Sequence, residues 1–462
     1  MMLNQDACYE AVKAHDRRFD GLFFTCVLST GIYCRPVCRA LLPKRQYCTF
    51  VATAAEAEKG GFRPCLRCRP ERAPGTHVED SAIRRIAAHI DATLLADESL
   101  AGVAARFGVS DRHMRRLFME TFGVEPLQYA TTRRLLFAKQ LLQDTSLPVV
   151  QVAYAAGFGS EARLLAQMKR AYGLTPSQLR RRRAGEVAAI VLRTDYRPPF
   201  DWPALLDFLS KRATPHEWVD GDTYHRRVDA CEVVVKNVPA KSQLEIHMTT
   251  ELARQSHTIV QKVRTLFDLD ANPDVIAATL AHDATLRPFV ERFPGTRVPG
   301  CWDEFETLLR TVVGQQVSVA GAATVMRRLT ERIGVTPEAI ATSSPAAIAQ
   351  LGMPGRRAET IWNLGVMVRA GALVLDERDP QRFYDQLVAI SGIGPWTAEY
   401  LKMRLLHYPD AFPAGDLGLQ KALVPGQRLT EKQLLIESEQ WRPWRSYATV
   451  LLWRSLHEKE VQ

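Results

Sequence analysis

The sequence predicts a multidomain protein in which a small α+β domain, an all-α domain, a second α+β domain and a second all-α domain follow one another. Three observations predict this order: cysteines crowd the first 68 residues, an apolar helix–Gly turn–basic helix pattern then occurs twice, and β-branched runs are confined to one later stretch. A chain of 462 residues is also too long for one ordinary core. We expect the domains at 1–75, 80–183, 187–300 and 301–462.

Composition and charge favour a globular protein with a polyanionic partner. Apolar residues make up 46% of the chain and charged residues 24%, and the net charge is +9. No apolar run is long enough to cross a bilayer, and the N-terminus MMLNQDACYEAVKAHD lacks a signal-peptide pattern. Clustered cysteines indicate metal binding in a reducing compartment. We therefore expect a cytoplasmic protein with no membrane partner.

Two close cysteine pairs dominate the first domain: Cys34 and Cys38 in GIYCRPVC, and Cys65 and Cys68 in RPCLRC. This spacing is typical of a tetrahedral four-thiolate zinc site. Zinc keeps cysteine in its nucleophilic thiolate form at neutral pH, and basic neighbours would hold a nucleic-acid backbone against it. Those neighbours are Arg35, Arg39, Lys44, Arg45, Arg63, Arg67 and Arg69. The pattern alone leaves a purely structural zinc open.

The other early cysteines, Cys8, Cys26 and Cys48, lack ligand spacing, and we expect them to be buried as small apolar residues.

GIYCRPVCRA followed by GFRPCLRC resembles the N-terminal domain of the Ada adaptive-response protein over most of residues 1–72. The resemblance implies that Cys34 is both a zinc ligand and the irreversible acceptor of a methyl group from a DNA methylphosphotriester. It leaves Cys38, Cys65 and Cys68 as ligands only. Methylation would remove one thiolate charge from the site, so DNA binding should tighten.

Two segments of the second domain, LAGVAARFGVSDRHMRRLF and VVQVAYAAGFGSEARLLAQMKR, each read as an apolar helix, a glycine turn and a basic amphipathic helix. We expect the recognition helices to begin near Ser110 and Ser160. Groove or phosphate contacts are then expected from Arg112, His113, Arg115 and Arg116 in the first unit, and from Arg163, Gln167 and Lys169 in the second. Surface arginines on a solvated helix face would look the same.

These two units followed by GLTPSQLRRRR resemble the AraC-type DNA-binding domain, which the Ada family also carries. The resemblance implies promoter DNA and RNA polymerase as partners. The arginine run at 180–183 is expected to lie in solvent or against phosphate. The second recognition helix, EARLLAQMKR, lacks the aromatic pair usual in this family.

From Tyr196 onward the chain resembles the AlkA type of 3-methyladenine DNA glycosylase. The resemblance rests on YRPPFDW, VPGCWDEFETLLRTVVGQQVSV, SGIGPWTAEYLKMR, FPAGDLGLQKAL and WRPWRSYATVLLW. The β-rich apolar runs in VAAIVLRTDY, HRRVDACEVVVKNV and SQLEIHMTTE predict strands. The resemblance implies that they belong to an AlkA-like N-terminal α+β domain, which an all-α helix-hairpin-helix glycosylase domain follows. Double-stranded DNA with alkylation damage is the implied substrate.

SGIGPWTAEYL has the form of the helix-hairpin-helix. Gly392 and Gly394 permit a tight turn and close approach to DNA, and Thr397 opens a helix whose amides and dipole can hold a phosphate. The family often places a monovalent cation on the hairpin carbonyls. GIG by itself would also suit an ordinary αα-hairpin.

The resemblance makes Asp416 in FPAGD the catalytic carboxylate, which stabilises positive charge on the sugar or orients water as the glycosidic bond breaks. The alternative is a purely structural role, in which Asp416 only caps the following helix.

The target base must leave the duplex stack to reach this carboxylate. The resemblance assigns Trp396, Tyr400 and Trp453 to an aromatic pocket that would hold a cationic base. It also places Gln316 at the wedge that fills the gap left in the duplex. Aromatics at helical spacing are also common in ordinary cores.

The complete reading is a monomeric repair fusion. In lyase-type relatives a nucleophilic lysine occupies the place of Trp396, so we expect base release without strand cutting. The PCHR acceptor motif of the second Ada methyltransferase domain is absent, so repair of O6-methylguanine is not expected. Two alternatives remain: a transcription regulator with an inactive glycosylase half, and a glycosylase whose zinc domain only improves DNA affinity.

Overall fold

The structure is a computed structural model, and it describes residues 3–75, 82–96, 98–180, 189–375, 379–423 and 428–459. The arginine run at 180–183 lies outside this description except for Arg180. The chain divides into two compact units. The first comprises Met1–Pro198, Arg227–Arg264 and Leu269–Asn272, and the second Pro199–Arg226, Thr265–Asp268 and Pro273–Gln462. Within the described ranges, no helix combines the length and apolar content that a bilayer crossing requires.

The first unit begins with a four-stranded sheet of order β3-β1-β2-β4, flanked by helices α1 (Gln5–Lys13) and α2 (Ala54–Lys59). Its strands are β1 (Phe24–Val27), β2 (Ile32–Cys34), β3 (Cys48–Val51) and β4 (Arg63–Pro64). Strand β1 is antiparallel to β2 and β3, whereas β2 and β4 run parallel. Cys8, Cys26 and Cys48 are buried in its core, as the sequence predicts.

The helical region that follows contains two helix-turn-helix units, formed by α4–α5 and α7–α8. Its helices are α3 (Ala82–Thr93), α4 (Leu100–Arg106), α5 (Asp111–Phe122), α6 (Pro126–Asp144), α7 (Val149–Ala155), α8 (Glu161–Tyr172) and α9 (Pro176–Leu179). Ser110 and Ser160 cap α5 and α8, so both recognition helices begin where the sequence predicts. Gly108 and Gly157 supply the left-handed turns with φ of 66° and 74°.

Helix α6 is buried around most of its surface. Leu136 packs with Phe24, Cys26 and Tyr33 of the first sheet, while Ala130 belongs to the core of the first helix-turn-helix unit. This one helix therefore contributes to the cores of both regions.

The remaining strands are β5 (Ala189–Asp195), β6 (Glu217–Asp220), β7 (Thr223–Val228), β8 (Cys231–Val238) and β9 (Gln243–Thr249). In the first unit, β9 pairs antiparallel with β5 and with β8. Burial alternates along β5, so one face of this sheet is apolar. In the second unit, β6 and β7 form an antiparallel hairpin.

The second unit is otherwise helical. The helices after β5 are α10 (Trp202–Ser210), α11 (Ser256–Leu266, mostly in the first unit), α12 (Pro273–Leu280), α13 (Arg287–Arg292), α14 (Glu304–Val313), α15 (Val319–Arg332), α16 (Pro337–Thr342), α17 (Pro345–Ala349), α18 (Gly355–Arg369), α19 (Pro380–Val388), α20 (Pro395–Leu405), α21 (Leu417–Ala422), α22 (Glu431–Glu437) and α23 (Arg445–Lys459). A large apolar core joins α14, α15, α18, α19 and α20, and it fixes α20, which carries several predicted site residues.

Candidate active sites

The four predicted zinc ligands meet at one end of the first sheet. Because β2 and β4 are parallel, with Tyr33 opposite Pro64, their carboxyl ends deliver Cys34 and Cys65 to the same edge. Cys38 and Cys68 follow in the next turns. All four Sγ atoms lie within 4.8 Å of one another. Four sulfurs about 2.3 Å from one Zn²⁺ fit within that spacing, so the donor set suits zinc.

The four sulfurs differ in exposure and in hydrogen bonding. Cys38 and Cys65 are buried, whereas Cys34 and Cys68 are half-buried. The Arg35 amide donates to Cys68 Sγ at 3.4 Å, and the Arg67 amide donates to Cys65 Sγ at 3.3 Å. Such bonds stabilise negative charge on the accepting sulfur.

Two of the basic neighbours do not face outward, which corrects the sequence expectation. Arg35 is buried and paired with Asp20 and Asp195, the latter at 2.7 Å. Arg69 is buried and bidentate to Asp144 at 2.9–3.0 Å. Both guanidinium groups are therefore engaged by carboxylates inside the fold and do not face a polyanion. Arg39, Lys44 and Arg67 are exposed and remain available to a polyanion.

Most predicted contact residues on the recognition helices are exposed: Arg112, His113 and Arg116 on α5, and Arg163 and Lys169 on α8, with Gln167 half-buried. Arg115 differs because its guanidinium is held by Asp111 at 2.8 Å and Glu125 at 3.0 Å. Arg116 lies 3.1 Å from a ring nitrogen of His113. The structure thus presents the predicted basic faces, with Arg115 already partnered.

In the second unit, a cavity of about 670 Å³ brings Asp416 together with Trp396, Tyr400 and Trp453. Trp396 Nε1 donates to Asp416 Oδ2 at 3.0 Å, and Trp453 Nε1 donates to Oδ1 at 3.2 Å. Oδ1 also accepts the Leu419 amide at 3.0 Å and caps α21. Asp416 is therefore a helix cap and a cavity carboxylate at once, with its orientation fixed by three donors.

The aromatic side chains come from two helices. Trp396 and Tyr400 lie one turn apart on α20, and their rings are stacked with centroids 5.3 Å apart and planes 9° apart. Trp453 on α23 is tilted by 50° to Tyr400 at 6.1 Å. Because Trp396 and Tyr400 are stacked, each ring covers part of one face of the other.

Sequence reasoning missed a cationic group at the same cavity. Arg404 Nη1 donates to Tyr400 Oη at 2.6 Å, while its other nitrogens donate to the carbonyls of Pro299 and Gly300. Arg212 stacks over Phe208 at 3.8 Å from the ring centroid. Burial raises the pKa of Tyr400, but Arg404 and Arg212 outweigh it and bring the pKa below its usual value.

Only part of this cationic group leaves a sequence signal. Arg404 follows Tyr400 by one helical turn in EYLKMR, so their shared face can be read from the sequence. Arg212 lies far earlier in the chain, and nothing local indicates where it ends up.

The hairpin before α20 has the predicted glycine turn. Gly392 has φ of +91°, and a Cβ there would lie 2.2 Å from Thr360 Oγ1, so glycine is required. Gly394 is the open N-cap of α20. Thr397 is buried and its hydroxyl accepts from Gln315 Nε2 at 3.0 Å, so only its backbone amide suits a phosphate.

The turn that was predicted to carry the wedge places its two glutamines differently. Gln315 Nε2 also donates to the Gly392 carbonyl at 3.1 Å and so links this turn to the hairpin. Gln316 is exposed, with φ of +57°, and is not among the described residues that line the cavity.

Family models match four consecutive parts of the chain. They are the metal binding domain of Ada at 7–71, a helix-turn-helix domain at 103–182, the AlkA N-terminal domain at 191–303, and the HhH-GPD superfamily of base excision DNA repair proteins at 309–445. The first match together with the sulfur cluster shows a binding site for one zinc ion.

Relatives match the whole chain and its parts. The Mycobacterium tuberculosis protein "Probable bifunctional transcriptional activator/DNA repair enzyme AlkA" is 36% identical, over 98% of this chain and 96% of its own. DNA-3-methyladenine glycosylase 2 of Escherichia coli is 33% identical, over 56% of this chain and 95% of its own. A solved 3-methyladenine DNA glycosylase from Archaeoglobus fulgidus covers 56% of this chain and 96% of its own, with a TM-score of 0.50 and 21% identity, which shows the fold alone.

Proposed function

The chain belongs to the family of Ada–AlkA fusions, which combine a transcriptional activator with a DNA repair enzyme, and on that premise we propose that it repairs alkylated DNA with two separate reactive centres. The second unit is a monofunctional glycosylase that hydrolyses the N-glycosidic bond of alkylated purines such as 3-methyladenine in double-stranded DNA. The observation that carries this proposal is the Asp416 carboxylate, held by two indole N–H groups at the cavity.

The proposed hydrolysis proceeds on a base turned out of the duplex into the cavity. The C1′–N bond breaks, its electron pair leaves with the purine, and positive charge grows on the sugar. The Asp416 carboxylate stabilises that charge and orients the water that adds to C1′. Since Trp396 cannot form a Schiff base, the product is an abasic site in an uncut strand.

A base-excision assay tests this proposal. Wild type should release 3-methyladenine from alkylated duplex DNA, and Asp416→Asn should lower the rate by roughly 10²–10³ because the amide keeps the cap but loses the charge. Asp385→Asn, which changes an exposed carboxylate on α19, is the matched control and should stay at the wild-type rate. Equal, measurable release by wild type and Asp416→Asn would contradict the role of Asp416, and no release by wild type would favour the alternative of a regulator with an inactive glycosylase half.

We also propose that Cys34 accepts the methyl group of a DNA methylphosphotriester. Zinc, when bound, keeps the four sulfurs as thiolates. Of the two half-buried sulfurs, Cys68 accepts the Arg35 amide, which lowers its nucleophilicity, and no such amide bond to Cys34 occurs among the described residues. The S–CH₃ bond forms as the O–CH₃ bond breaks, and the phosphodiester leaves with the electron pair.

Mass spectrometry of the zinc-loaded protein tests the assignment. Exposure to methylphosphotriester DNA should add roughly 14 Da to the peptide that contains Cys34. Unmethylated DNA of the same sequence is the control. A protein that binds one zinc and gains no mass would have a zinc domain with a structural role only.

The finer assignments complete the proposal. The domains are 1–75, 80–183, 187–300 and 301–462, and the chain works as a cytoplasmic monomer on the nucleoid. Helices α5 and α8 read promoter DNA next to RNA polymerase. The hairpin carbonyls hold a monovalent cation, and Gln316 enters the gap left by the flipped base.

A further inference from the structure

The cavity that holds Asp416 has a second, cationic end. Tyr400, Arg404, Arg212 and Phe208 all line it. Arg404 and Arg212 each place a guanidinium group within 5 Å of the Phe208 ring centroid, at 4.7 and 3.8 Å. Two full positive charges therefore share one small part of the cavity wall.

The partners of these two guanidinium groups differ from those of most other cations in the cavity wall. Three of the four other cations of the cavity wall are paired with carboxylates: Lys211 with Asp207, Arg310 with Glu217 and Glu306, and Arg454 with Asp201. The fourth, Arg297, donates to the carbonyls of Pro199 and Gly295. Arg404 donates to two carbonyls and to Tyr400, and Arg212 donates to the carbonyl of Phe208. Among the described residues, no ion pair involves Arg404 or Arg212. Their positive charge is left to act on whatever occupies the cavity.

The Tyr400 hydroxyl is the natural donor at this end. Its oxygen already accepts a charge-assisted bond of 2.6 Å from Arg404, so its own proton points to another acceptor. None of the described protein groups accepts that proton. A ligand in the cavity would, and the guanidinium behind the phenol strengthens the bond by polarising the O–H group.

We propose that Tyr400, Arg404 and Arg212 are specificity-determining residues that select the flipped base by its charge and by its acceptor edge. The Tyr400 hydroxyl donates to an exocyclic oxygen or a ring nitrogen of the base, while the two guanidinium groups penalise a base that carries positive charge. This inference rests on the proposed glycosylase function and deepens it. The aromatic rings alone would favour cationic bases, and the cationic end opposes that preference.

The expected effects separate by substrate. Two DNA duplexes serve as probes, one with 7-methylguanine, which is cationic and carries a 6-oxo group, and one with hypoxanthine, a neutral 6-oxopurine. Tyr400→Phe keeps the ring and its stack with Trp396 but removes the donor. It should lower kcat/KM for hypoxanthine about tenfold. The effect on 7-methylguanine should be smaller, because the guanidinium groups repel this cationic base and so weaken its hydrogen bond with Tyr400.

Arg212→Met gives an independent readout because, within the described ranges, the only hydrogen bond of this guanidinium is to the carbonyl of Phe208 on the preceding helix α10. Removing the charge should raise kcat/KM for 7-methylguanine about fivefold relative to hypoxanthine. Both variants thus increase the ratio of cationic to neutral base release. Tyr384→Phe, a tyrosine outside the cavity lining, is the matched control and should leave the ratio unchanged.

The failure of each proposal has a distinct signature. If wild type releases neither probe base nor 3-methyladenine, or if Asp416→Asn releases as much as wild type, the glycosylase proposal fails. Release of 3-methyladenine but of neither probe base would overturn the specificity proposal. The specificity proposal is tested once wild type is active and its activity depends on Asp416. It is overturned if the ratio of 7-methylguanine release to hypoxanthine release stays the same or falls in Arg212→Met and in any Tyr400→Phe protein that folds.

Discussion

Glu58 on α2 provides a test of the electrostatics of the first unit. The residue is partly buried, and its carboxyl group is enclosed by three hydroxyls: Tyr33 and Tyr172 donate to Oε1 at 3.1 Å each, and Thr132 donates to Oε2 at 2.7 Å. Burial raises the pKa of Glu58 from 4.5 to about 7, and the three hydroxyls and Lys139 only partly oppose it. These contacts tie β2, the strand that ends at Cys34, to α6 and to the end of α8.

The sign of the pH dependence follows from that pKa. Between pH 4.5 and 7 the folded protein retains a proton that the unfolded chain has released, so stability falls as the pH rises through this window and is level above it. The whole shift corresponds to at most roughly 3 kcal/mol, and the part between pH 5.5 and 7 to about 2 kcal/mol. Glu58→Gln keeps an acceptor for the tyrosines but cannot titrate, so it should lose this dependence.

Hydrogen exchange on the full zinc-loaded chain measures the effect locally. After correction for the intrinsic exchange rate, the protection free energy of the α2 and α6 peptides should decrease between pH 5.5 and pH 7.5 in wild type. In Glu58→Gln the same decrease should be smaller by about 2 kcal/mol. The difference between the protection values of the two proteins cancels the pH dependence of the zinc thiolates, because both proteins contain them. Glu10→Gln, an exposed carboxylate on α1, should behave as wild type. Parallel loss of protection in wild type and Glu58→Gln would refute the reasoning.

Two further pairs of variants test the hairpin and the helix-turn-helix surface. Gly392→Ala should destabilise the second unit by about 2 kcal/mol or more, since the added methyl group meets a clash and a left-handed backbone, whereas Gly394→Ala, which meets nothing within 4 Å, should cost about 1 kcal/mol or less. Thermal unfolding of the two variants side by side checks this, and equal losses would contradict it. Arg112→Ala should weaken duplex binding and reduce the slope of log affinity against log salt by about 1, while Arg115→Ala, whose side chain is already paired, should leave the slope near wild type. Fluorescence anisotropy over a salt series decides, and identical slopes in both variants would count against the assignment.

The features readable from the sequence were those set by spacing and local chemistry. Cysteine spacing was enough to predict the sulfur cluster, because four ligands in two tight turns have few other uses. The serines before α5 and α8 marked both recognition helices, because a side-chain cap is a local interaction. Asp416 was identified through its motif, and the structure adds the two indole donors that hold it.

The features that escaped prediction depend on contacts between distant segments. Arg35 and Arg69 look like surface charge in the sequence, since composition records the charge of a residue but not its burial or its partners. Arg212 reaches the cavity from the turn after α10, almost two hundred residues before Arg404. Gln315, and not its neighbour, contacts the hairpin, which depends on the backbone direction of a single turn.

The shared burial of α6 limits how the chain can be dissected. A fragment cut between the first sheet and the helical region would leave the face around Leu136, Thr132 and Asp144 without its partners. That face includes apolar surface and an acidic group deprived of its arginines, so the liberated piece would tend to aggregate. Limited proteolysis in this connection should therefore yield a nicked complex that co-elutes on gel filtration, and recombinant expression should begin at residue 1 and not at the start of the helices.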